Sequence, residues 1–372
     1  MRITRVETIH LRLDAIAEIA NGTQDALVVR VHTDAGLVGV GEVDSSPTVA
    51  RAVVEAPASH SLSHGLASLL VGEDPLEVER LWQKMYDGSI YFGRRGAAIH
   101  ALSGLDLALW DLRGKAWGVP VWKLLGGAVR QRVPVYASVL MPETPQEALR
   151  RAQGLHAQGF TAAKFGWGPL GRDAVLDVEL AAAVREGLGP AARLMLDIGL
   201  RWDAATAVEM VHRLEPYHLF WIEEPLHPDD YEGYRRLCAA VTTRIAAGEE
   251  ETTRFAFAEL IGRGGLHVIQ PDLSRAGGLT EGLRIARLAA DAGIWCVPHA
   301  FSTSILLAAS LHFVAATPHA PVLEYCEDRS PLSAGLCHER FEVGPDGCVG
   351  LPSAPGLGVT LNEAAVDKYR VS

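Results

Sequence analysis

The chain has 372 residues, and 48% hydrophobic with 21% charged residues is an ordinary composition for a globular protein. This composition excludes intrinsic disorder, a collagen-like fibre and a small disulfide-rich scaffold. A formal net charge of −11, without a run of Lys or Arg, argues against nucleic-acid and anionic-membrane partners. Five cysteines without a Cys-x-x-Cys pair, and no apolar run near the roughly 18 residues of a membrane span, predict a cytoplasmic protein without a targeting segment.

Residues 1–126 are predicted to form an α+β module. Two β-rich runs, DALVVRVH and LVGVGEV, flank the turn residues TDAG, and this pattern predicts an antiparallel hairpin. From Pro47 to about Gly126 the apolar residues recur at helical spacing instead. Strands followed by helices indicate a small α+β domain at the start of the chain.

Residues 127–326 alternate short β-branched runs with helical stretches, the pattern of repeated βα units. The eight runs are VPVYASV, TAAKFGW, ARLMLDIG, LFWIEEP, RIAAGE, LHVIQPD, IWCVPHA and VLEY. Eight parallel strands over about 200 residues predict a closed barrel and not an open doubly wound sheet. Residues 327–372 are rich in Gly and Pro and are predicted to pack back on the N-terminal module.

One ionisable residue follows each barrel run from the second to the eighth. These residues are Lys164, Asp197, Glu223, Glu249, Asp272, His299 and Glu324, and the steps between them are 23 to 33 residues. One βα unit has about this length, so all seven side chains are expected at one rim of the barrel, where such folds build their active sites. Any one of them alone would read as a helix cap or a surface residue, but a set of seven favours a functional site.

Asp197, Glu223 and Glu249 end three consecutive strands and are predicted metal ligands. If the three carboxylates lie close together at the barrel rim, they repel one another unless a cation neutralises them. Oxygen ligands without Cys or a nearby His favour Mg²⁺, with Mn²⁺ as the alternative ion. Adjacent residues on a strand point in opposite directions, so Glu224 and Glu250 are disfavoured as ligands, whereas Glu251 remains an alternative, as does an ion-pair network without metal.

Four other members of the series are candidate catalytic residues. Asp272 and His299 end adjacent strands, where the carboxylate can orient the imidazole as an acid/base dyad, although a His beside a proline is also typical of a packed core. Lys164 follows apolar residues and is predicted to hold an anion at the metal site, unless it is a surface lysine. Glu324 is expected to stay protonated through burial and to donate a hydrogen bond.

The sequence resembles the enolase superfamily, in its mandelate racemase-like branch, over nearly the whole chain. The motifs that carry the resemblance are GLVGVGE, ALSGLDLALWDLRGKAWGVPVWKLLGG, the Asp197/WIEEP/AAGEE series, QPDLSRAGG, VPHAF and PGLGV. The resemblance implies a (β/α)7β TIM-like barrel, an α/β fold, with an N-terminal α+β capping domain completed by the C-terminal tail. It also implies that cap loops close on the substrate and that the chains form a homo-oligomer.

The resemblance assigns roles to the same seven residues. Asp197, Glu223 and Glu249 match the Mg²⁺ ligands, Asp272 with His299 matches the His-Asp dyad, and Glu324 matches the carboxyl that hydrogen-bonds the substrate carboxylate. Lys164 matches the first lysine of a Lys-x-Lys pair, but Gly166 replaces the second, which is the base on the other substrate face in relatives. Gly199 stands where relatives can carry Asn or His.

These features predict a Mg²⁺-dependent dehydratase of a hydroxylated carboxylic acid, an acid sugar, that yields a 2-keto-3-deoxy acid. His299 would remove the α-proton of a carboxylate bound to the metal and then protonate the leaving hydroxyl. The alternatives are a racemase or epimerase that uses Lys164 as the opposite base and, from another class, a non-catalytic binder of metal-carboxylate ligands; a cycloisomerase is less favoured. Candidate pocket residues are 21–23, 44–46, Tyr136, Ser138, Trp167 and Arg201, and residues 91, 94 and 95 are assigned to the site or to a subunit contact.

Overall fold

A computed structural model of the protein describes residues 1–371. The chain opens with an antiparallel sheet in the order β1-β2-β3, formed by β1 (Ile3–Arg12), β2 (Asp25–Thr33) and β3 (Val38–Val43). The turn between β2 and β3 contains Gly36 at a φ of 77°, a left-handed conformation that favours glycine. The predicted hairpin is therefore confirmed, and a third strand extends it.

Five helices follow the sheet and complete the predicted α+β module. They are α1 (Pro47–Glu55), α2 (Leu66–Leu70), α3 (Val78–Gly93), α4 (Ala97–Trp117) and α5 (Val121–Leu124). The long helix α4 is buried on nearly all sides because it lies between the sheet and the rest of the protein. Its close approach to β3 depends on two glycines: a Cβ atom at Gly39 or Gly41 would lie 2.1 Å or 1.9 Å from a carbonyl oxygen of α4.

The eight predicted βα runs all form strands of one parallel sheet. They are β4 (Arg132–Leu140), β5 (Ala162–Gly166), β6 (Arg193–Asp197), β7 (Leu219–Glu223), β8 (Arg244–Ala247), β9 (Val268–Ile269), β10 (Trp295–Cys296) and β11 (Leu323–Cys326). The hydrogen-bonded order is β10-β9-β8-β7-β6-β5-β4-β11. The N–H of Cys296 on β10 donates to the carbonyl of His319, which leads into β11, and thus draws the two ends of the curled sheet together.

Helices alternate with these strands around the barrel. They are α6 (Pro145–Ala157), α7 (Ala174–Leu188), α8 (Ala204–Leu214), α9 (Tyr231–Ala240), α10 (Thr253–Glu259), α11 (Gly278–Asp291) and α12 (Ser304–Ala316). Side-chain oxygens of Thr144, Asp173, Asp203, Asp230 and Thr303 accept backbone N–H groups at the starts of five of them, as expected of N-cap residues. These caps end the preceding loops and fix where each helix begins.

A packed layer of side chains closes the centre of the barrel below the strand ends. One residue from each barrel strand or its edge contributes to the layer: Tyr136, Ala162, Met195, Trp221, Ala246, Val268, Val297 and Val322. Tyr136 and Trp221 meet edge to face, with ring centroids 5.4 Å apart. Because side chains fill the interior, the residues at the carboxyl ends of the strands are supported from below by closely packed atoms.

Polar contacts connect the N-terminal sheet to the barrel and to the tail. Glu42 on β3 accepts hydrogen bonds from Ser302 and Thr303 hydroxyls at 2.6 Å, at the start of α12. The tail contains α13 (Pro331–Gly335), β12 (Cys348–Gly350) and α14 (Glu363–Tyr369), and Glu363 of α14 pairs with Arg30 of β2 at 2.7 Å. The fold predicted from the sequence, a TIM-like barrel with an N-terminal cap completed by the tail, is confirmed.

The surface bears on two further predictions. Within residues 1–371, no helix has the length and apolar character needed to cross a membrane. Tyr91 is 74% exposed, and Leu62 and Phe92 near it are also exposed. The homo-oligomer and the part of residues 91, 94 and 95 in it stay predictions.

Candidate active site

The barrel brings all seven predicted site residues to one mouth. Asp197 and Glu223 are the last residues of β6 and β7, and Lys164 and Glu324 lie within β5 and β11. The other three follow the ends of β8, β9 and β10 by two or three residues; they are Glu249, Asp272 and His299. None of the seven is more than 6% exposed. Ionisable groups buried this deeply need charged or hydrogen-bonding partners, and these residues pair with one another.

The three predicted metal ligands form a tight cluster. Asp197, Glu223 and Glu249 each offer a carboxylate oxygen, and these oxygens all lie within 4.8 Å of one another. Burial raises the pKa of Asp197 well above its ordinary value, and the charges of the two neighbouring carboxylates add to the effect. Such a set of hard oxygen donors fits a divalent cation, whose charge would remove the repulsion.

Two neighbours orient the central carboxylate of the cluster. The indole N–H of Trp221 donates to Glu223 Oε2 at 2.9 Å, and the amide of Gln270 donates to the same oxygen at 2.8 Å. Neither residue was predicted from the sequence, because both belong to runs that read as strand core. Their contacts hold the carboxylate in one rotamer, as partners of metal ligands commonly do.

Lys164 is the cation of the cluster. Its ammonium hydrogen-bonds Glu223 and lies 2.9 Å from Glu324 Oε1 and 3.6 Å from Asp197 Oδ2. Burial by itself would lower the pKa of Lys164, but these carboxylates outweigh it and raise the pKa well above its ordinary value. These contacts favour the charged ammonium, and Lys164 lies buried inside the mouth and is not a surface lysine.

The structure contradicts the prediction that burial keeps Glu324 protonated. Burial does favour the neutral acid, but the adjacent ammonium of Lys164 and the charge of His299 hold the pKa of Glu324 below its usual range. The backbone N–H of Ala300 also donates to Glu324 Oε2 at 2.7 Å, which stabilises the carboxylate form. Glu324 is an ionised acceptor that orients Lys164.

Asp272 and His299 form the predicted dyad. His299 Nδ1 lies 2.6 Å from Asp272 Oδ2, and Asp272 Oδ1 accepts the backbone N–H of Ser274 at 2.6 Å and its hydroxyl. With Nδ1 donating to Asp272, the other ring nitrogen, Nε2, faces the carboxylates and lies 3.3 Å from Glu249 Oε2. Burial opposes the imidazolium, but the charges of Glu249 and Glu324 and the Asp272 hydrogen bond raise the pKa of His299 to about 10.

Arg275 is a residue of this site that the sequence reasoning missed. Its guanidinium pairs with Asp44 Oδ2 of the cap at 2.7 Å, donates to the carbonyl of Glu249 at 3.4 Å and lies 3.9 Å from Asp272 Oδ2. Arg275 thus links the cap, a predicted metal ligand and the dyad. The available signal was its position three residues after Asp272 in QPDLSRAGG, where a tight turn returns it to the same mouth.

We expect the Asp44→Asn variant to lower kcat/KM about tenfold, the scale typical of lost partners around functional groups. The amide keeps the size of the side chain but removes the charge that holds the Arg275 guanidinium between Asp272 and the Glu249 backbone. Steady-state kinetics on a carboxylic acid found by a substrate screen of the wild type, with circular dichroism to verify folding, would measure the effect. The control is Asp34→Asn in the β2–β3 turn; equal losses in both variants would contradict this role for Asp44.

A cavity of about 390 Å³ opens above these residues and is covered by the cap. Of the predicted lining residues, Asn21, Gly22, Ser138 and Trp167 line it. The loop that carries Asn21 is fastened in place, since its side-chain amide donates to the carbonyl of Asp328 at 3.0 Å.

The other six predicted lining residues do not line this cavity. Asp44 pairs with Arg275, Ser45 hydrogen-bonds His100, and Ser46 immediately precedes α1. Tyr136 is buried in the barrel layer, Thr23 bonds Ser330 of the tail, and Arg201 donates to the carbonyl of Gly168.

The glutamates next to the predicted ligands have separate environments. Glu224 is turned away and accepts the N–H of Gly248 at 2.6 Å and the hydroxyl of Tyr234 at 3.0 Å. Glu251 accepts the hydroxyl of Tyr231 at 2.8 Å, so it is engaged outside the cluster. Glu250 lines the cavity but is not one of the clustered ligands. Glu224, Glu250 and Glu251 thus lie outside the carboxylate cluster. All three, however, follow the ends of β7 and β8, where the alternation of side chains along a strand no longer applies, and Glu250 lines the cavity although it was expected to point away.

Two family models match the chain. The mandelate racemase / muconate lactonizing enzyme N-terminal domain matches residues 3–126, and the enolase C-terminal domain-like model matches residues 147–365. Together they span the cap and most of the barrel and tail.

Named relatives match over nearly the same extent. The chain is 33% identical to D-galactarolactone cycloisomerase of Agrobacterium fabrum, over 100% of this chain and 99% of that one. It is 35% identical to D-galactonate dehydratase of Ralstonia nicotianae, over 91% and 90%. A crystal structure of the 3,6-anhydro-D-galactonate cycloisomerase of Zobellia galactanivorans superimposes with a TM-score of 0.91 at 30% identity, over 100% of both chains. The protein therefore belongs to the mandelate racemase/muconate lactonizing enzyme family of the enolase superfamily.

Proposed function

We propose that the protein is a Mg²⁺-dependent dehydratase of an acid sugar. The observation that carries the proposal is the His299–Asp272 dyad, whose second ring nitrogen lies 3.3 Å from one of three clustered, buried carboxylates at the base of a cavity. Names of relatives support the substrate class, because several at about 35% identity are D-galactonate dehydratases. Cytoplasmic location stays part of this proposal.

Asp197, Glu223 and Glu249 would hold the Mg²⁺ ion, with Mn²⁺ as the alternative. When bound, such an ion supplies positive charge that binds and polarises the substrate carboxylate. The fit rests on the structure: the donors are all oxygens, and they converge within 4.8 Å of one another.

The proton chemistry belongs to His299. Asp272 fixes the imidazole with Nδ1–H toward the carboxylate. Glu249 is the main charge that raises the pKa of His299, and a bound cation would offset that charge, so that neutral Nε2 would be the atom that accepts the α-proton of the substrate. Negative charge then grows on the substrate carboxylate, and the ammonium of Lys164 stands inside the mouth to stabilise it. Glu324 keeps that ammonium in place from the other side.

The protonated His299 can return its proton to the oxygen that leaves from the β-carbon. Loss of this hydroxyl as water gives an enol, which becomes a 2-keto-3-deoxy acid. Abstraction and delivery by one imidazole require both groups on the same face of the substrate, which makes the elimination syn. At the end of β5, Gly166 provides no second base, and this favours elimination over racemisation.

A second candidate is ring opening by the same chemistry. It is favoured by two relatives that align over the whole chain and are named cycloisomerases, of D-galactarolactone and of 3,6-anhydro-D-galactonate. In a 3,6-anhydro acid the ring oxygen sits on the β-carbon, so it takes the place of the leaving hydroxyl. His299 would protonate this oxygen, and the product would be an isomer of the substrate.

Proton NMR with mass spectrometry separates these reactions. The Mg²⁺-loaded protein is incubated in D₂O with aldonates, aldarates and their cyclic lactones or anhydro forms. Dehydration removes one water from the mass, and ring opening leaves the composition unchanged apart from deuterium. Exchange of the α-proton without elimination would contradict both and indicate a racemase or epimerase; no exchange or product with any acid would contradict the proposed enzyme class.

A further inference from the structure

Two glycines at the mouth, Gly166 and Gly199, stand where the chain has no room for a side chain. A Cβ atom at Gly166 would lie 2.7 Å from Asp197 Cβ, and one at Gly199 would lie 2.8 Å from Trp167 Cε3. Both distances are well below ordinary van der Waals contact. The space beside Gly166 is thus filled by Asp197, and the space above Gly199 by the indole of Trp167.

The backbone around Trp167 is shaped to place this ring. Trp167 has a φ of 58°, a left-handed conformation that bulky residues seldom adopt and that persists only where the surroundings impose it. Its N–H donates to the carbonyl of Asp197 at 3.0 Å, which fixes the start of the turn. At Gly168, the next residue, φ is 53° and a Cβ atom would lie 2.4 Å from the carbonyl oxygen of Met141.

The indole is half-buried and lines the same cavity as His299 and Lys164. β4 and β11 separate β5, which leads to Trp167, from β10, which leads to His299. The indole of Trp167, after β5, therefore presents an apolar plane to the cavity. His299, after β10, faces the same cavity. The C–H face of a polyhydroxy chain packs well on an aromatic ring, while its hydroxyls turn to polar groups.

We propose that Trp167 is a specificity-determining residue whose indole is the surface on which the carbon chain of an acid sugar packs. This inference rests on the proposed function for the class of substrate. The carboxylate of the substrate would bind at the cluster of Asp197, Glu223 and Glu249. The indole of Trp167 would then contact only those acids that have carbon atoms beyond the β-position. Trp167 thus selects for longer aldonates or aldarates and turns the α-proton toward His299.

Fluorescence titration and kinetics of the Mg²⁺-loaded protein test this role. The probes are the acid sugar that the wild type binds best from a panel of aldonates and aldarates, and lactate, which has the carboxylate and α-hydroxyl but no longer chain. We expect Trp167→Ala to weaken binding of the acid sugar about tenfold and that of lactate less than twofold, with a larger change in KM than in kcat. Trp167→Phe should restore most of the affinity, because it keeps an aromatic plane.

The control is Trp117→Ala, which removes a tryptophan that is 51% exposed at the end of α4. A substrate-dependent fluorescence change should survive in this control and shrink in Trp167→Ala. Equal loss of lactate and acid-sugar affinity, or unchanged affinity for both, would overturn the role of Trp167. Tight, Trp167-dependent binding without turnover would instead contradict the proposed reaction alone, and no binding of any acid by the wild type would overturn both.

Discussion

Replacing His299 by Asn is expected to lower kcat about 10³-fold, within the range of losses seen for general bases and acids. The amide cannot accept the α-proton, and nothing else that lines the cavity reproduces an imidazole braced by a buried carboxylate. Asp272 Oδ1 keeps its two bonds to Ser274, so the site should retain its shape. Turnover and α-proton exchange in D₂O would be measured together, because both depend on the same nitrogen.

A matched control is His319→Asn, at an exposed position before β11. It should leave both rates within twofold of the wild type. Calorimetric titration with Mg²⁺ should give similar affinities for the two variants, since His299 is not one of the clustered carboxylates. If the His299 variant retained exchange but lost product, His299 would serve only as the acid for the leaving group and another residue would be the base.

The sequence predicted the seven site residues because strand ends in a closed barrel converge whatever the loops do. Asp197 and Glu223 needed only correct strand assignment, and Glu249 needed only the even spacing of the βα units. Gly166 and Gly199 were recognised as departures from relatives, but their cause was not visible. The side chains that fill the space at these glycines are Asp197, across from Gly166 on β6, and Trp167, whose ring position depends on its left-handed backbone.

The protonation of Glu324 shows where reasoning from single residues failed. Burial alone does favour a neutral acid, and burial was the property expected of a strand end. The ammonium of Lys164, however, reaches across β4 from β5 to β11 and lies 2.9 Å from Glu324 Oε1. Arg275 was missed for a similar reason, because its partner Asp44 is 231 residues away in the cap. Pairings between charges on distant segments are set by tertiary packing.

Replacing Asp197 by Asn is expected to weaken Mg²⁺ binding roughly 100-fold or more and to abolish turnover at moderate metal concentration, because a neutral amide replaces a charged ligand. Calorimetric titration with Mg²⁺ measures the first effect without reference to activity. The control is Glu209→Gln on α8, a carboxylate whose side chain is 73% exposed, which should bind the ion like the wild type. Unchanged affinity in the Asp197 variant would remove it from the ligand set.

The stability of the same variant separates a ligand from a structural ion pair. In the metal-free chain, Lys164 pairs with three buried carboxylates, and its shortest contacts are with Glu223 and Glu324, whereas Asp197 is 3.6 Å away. Burial and the neighbouring carboxylates already raise the pKa of Asp197 and disfavour its charged form without metal, so replacing it by an amide should cost little and Tm without metal should stay equal or rise. The increase in Tm that Mg²⁺ gives the wild type should vanish. A carboxylate that serves as a metal ligand lowers stability until the cation binds. A metal-free Asp197 variant that melts well below the wild type would therefore show instead that Asp197 is a structural partner of Lys164.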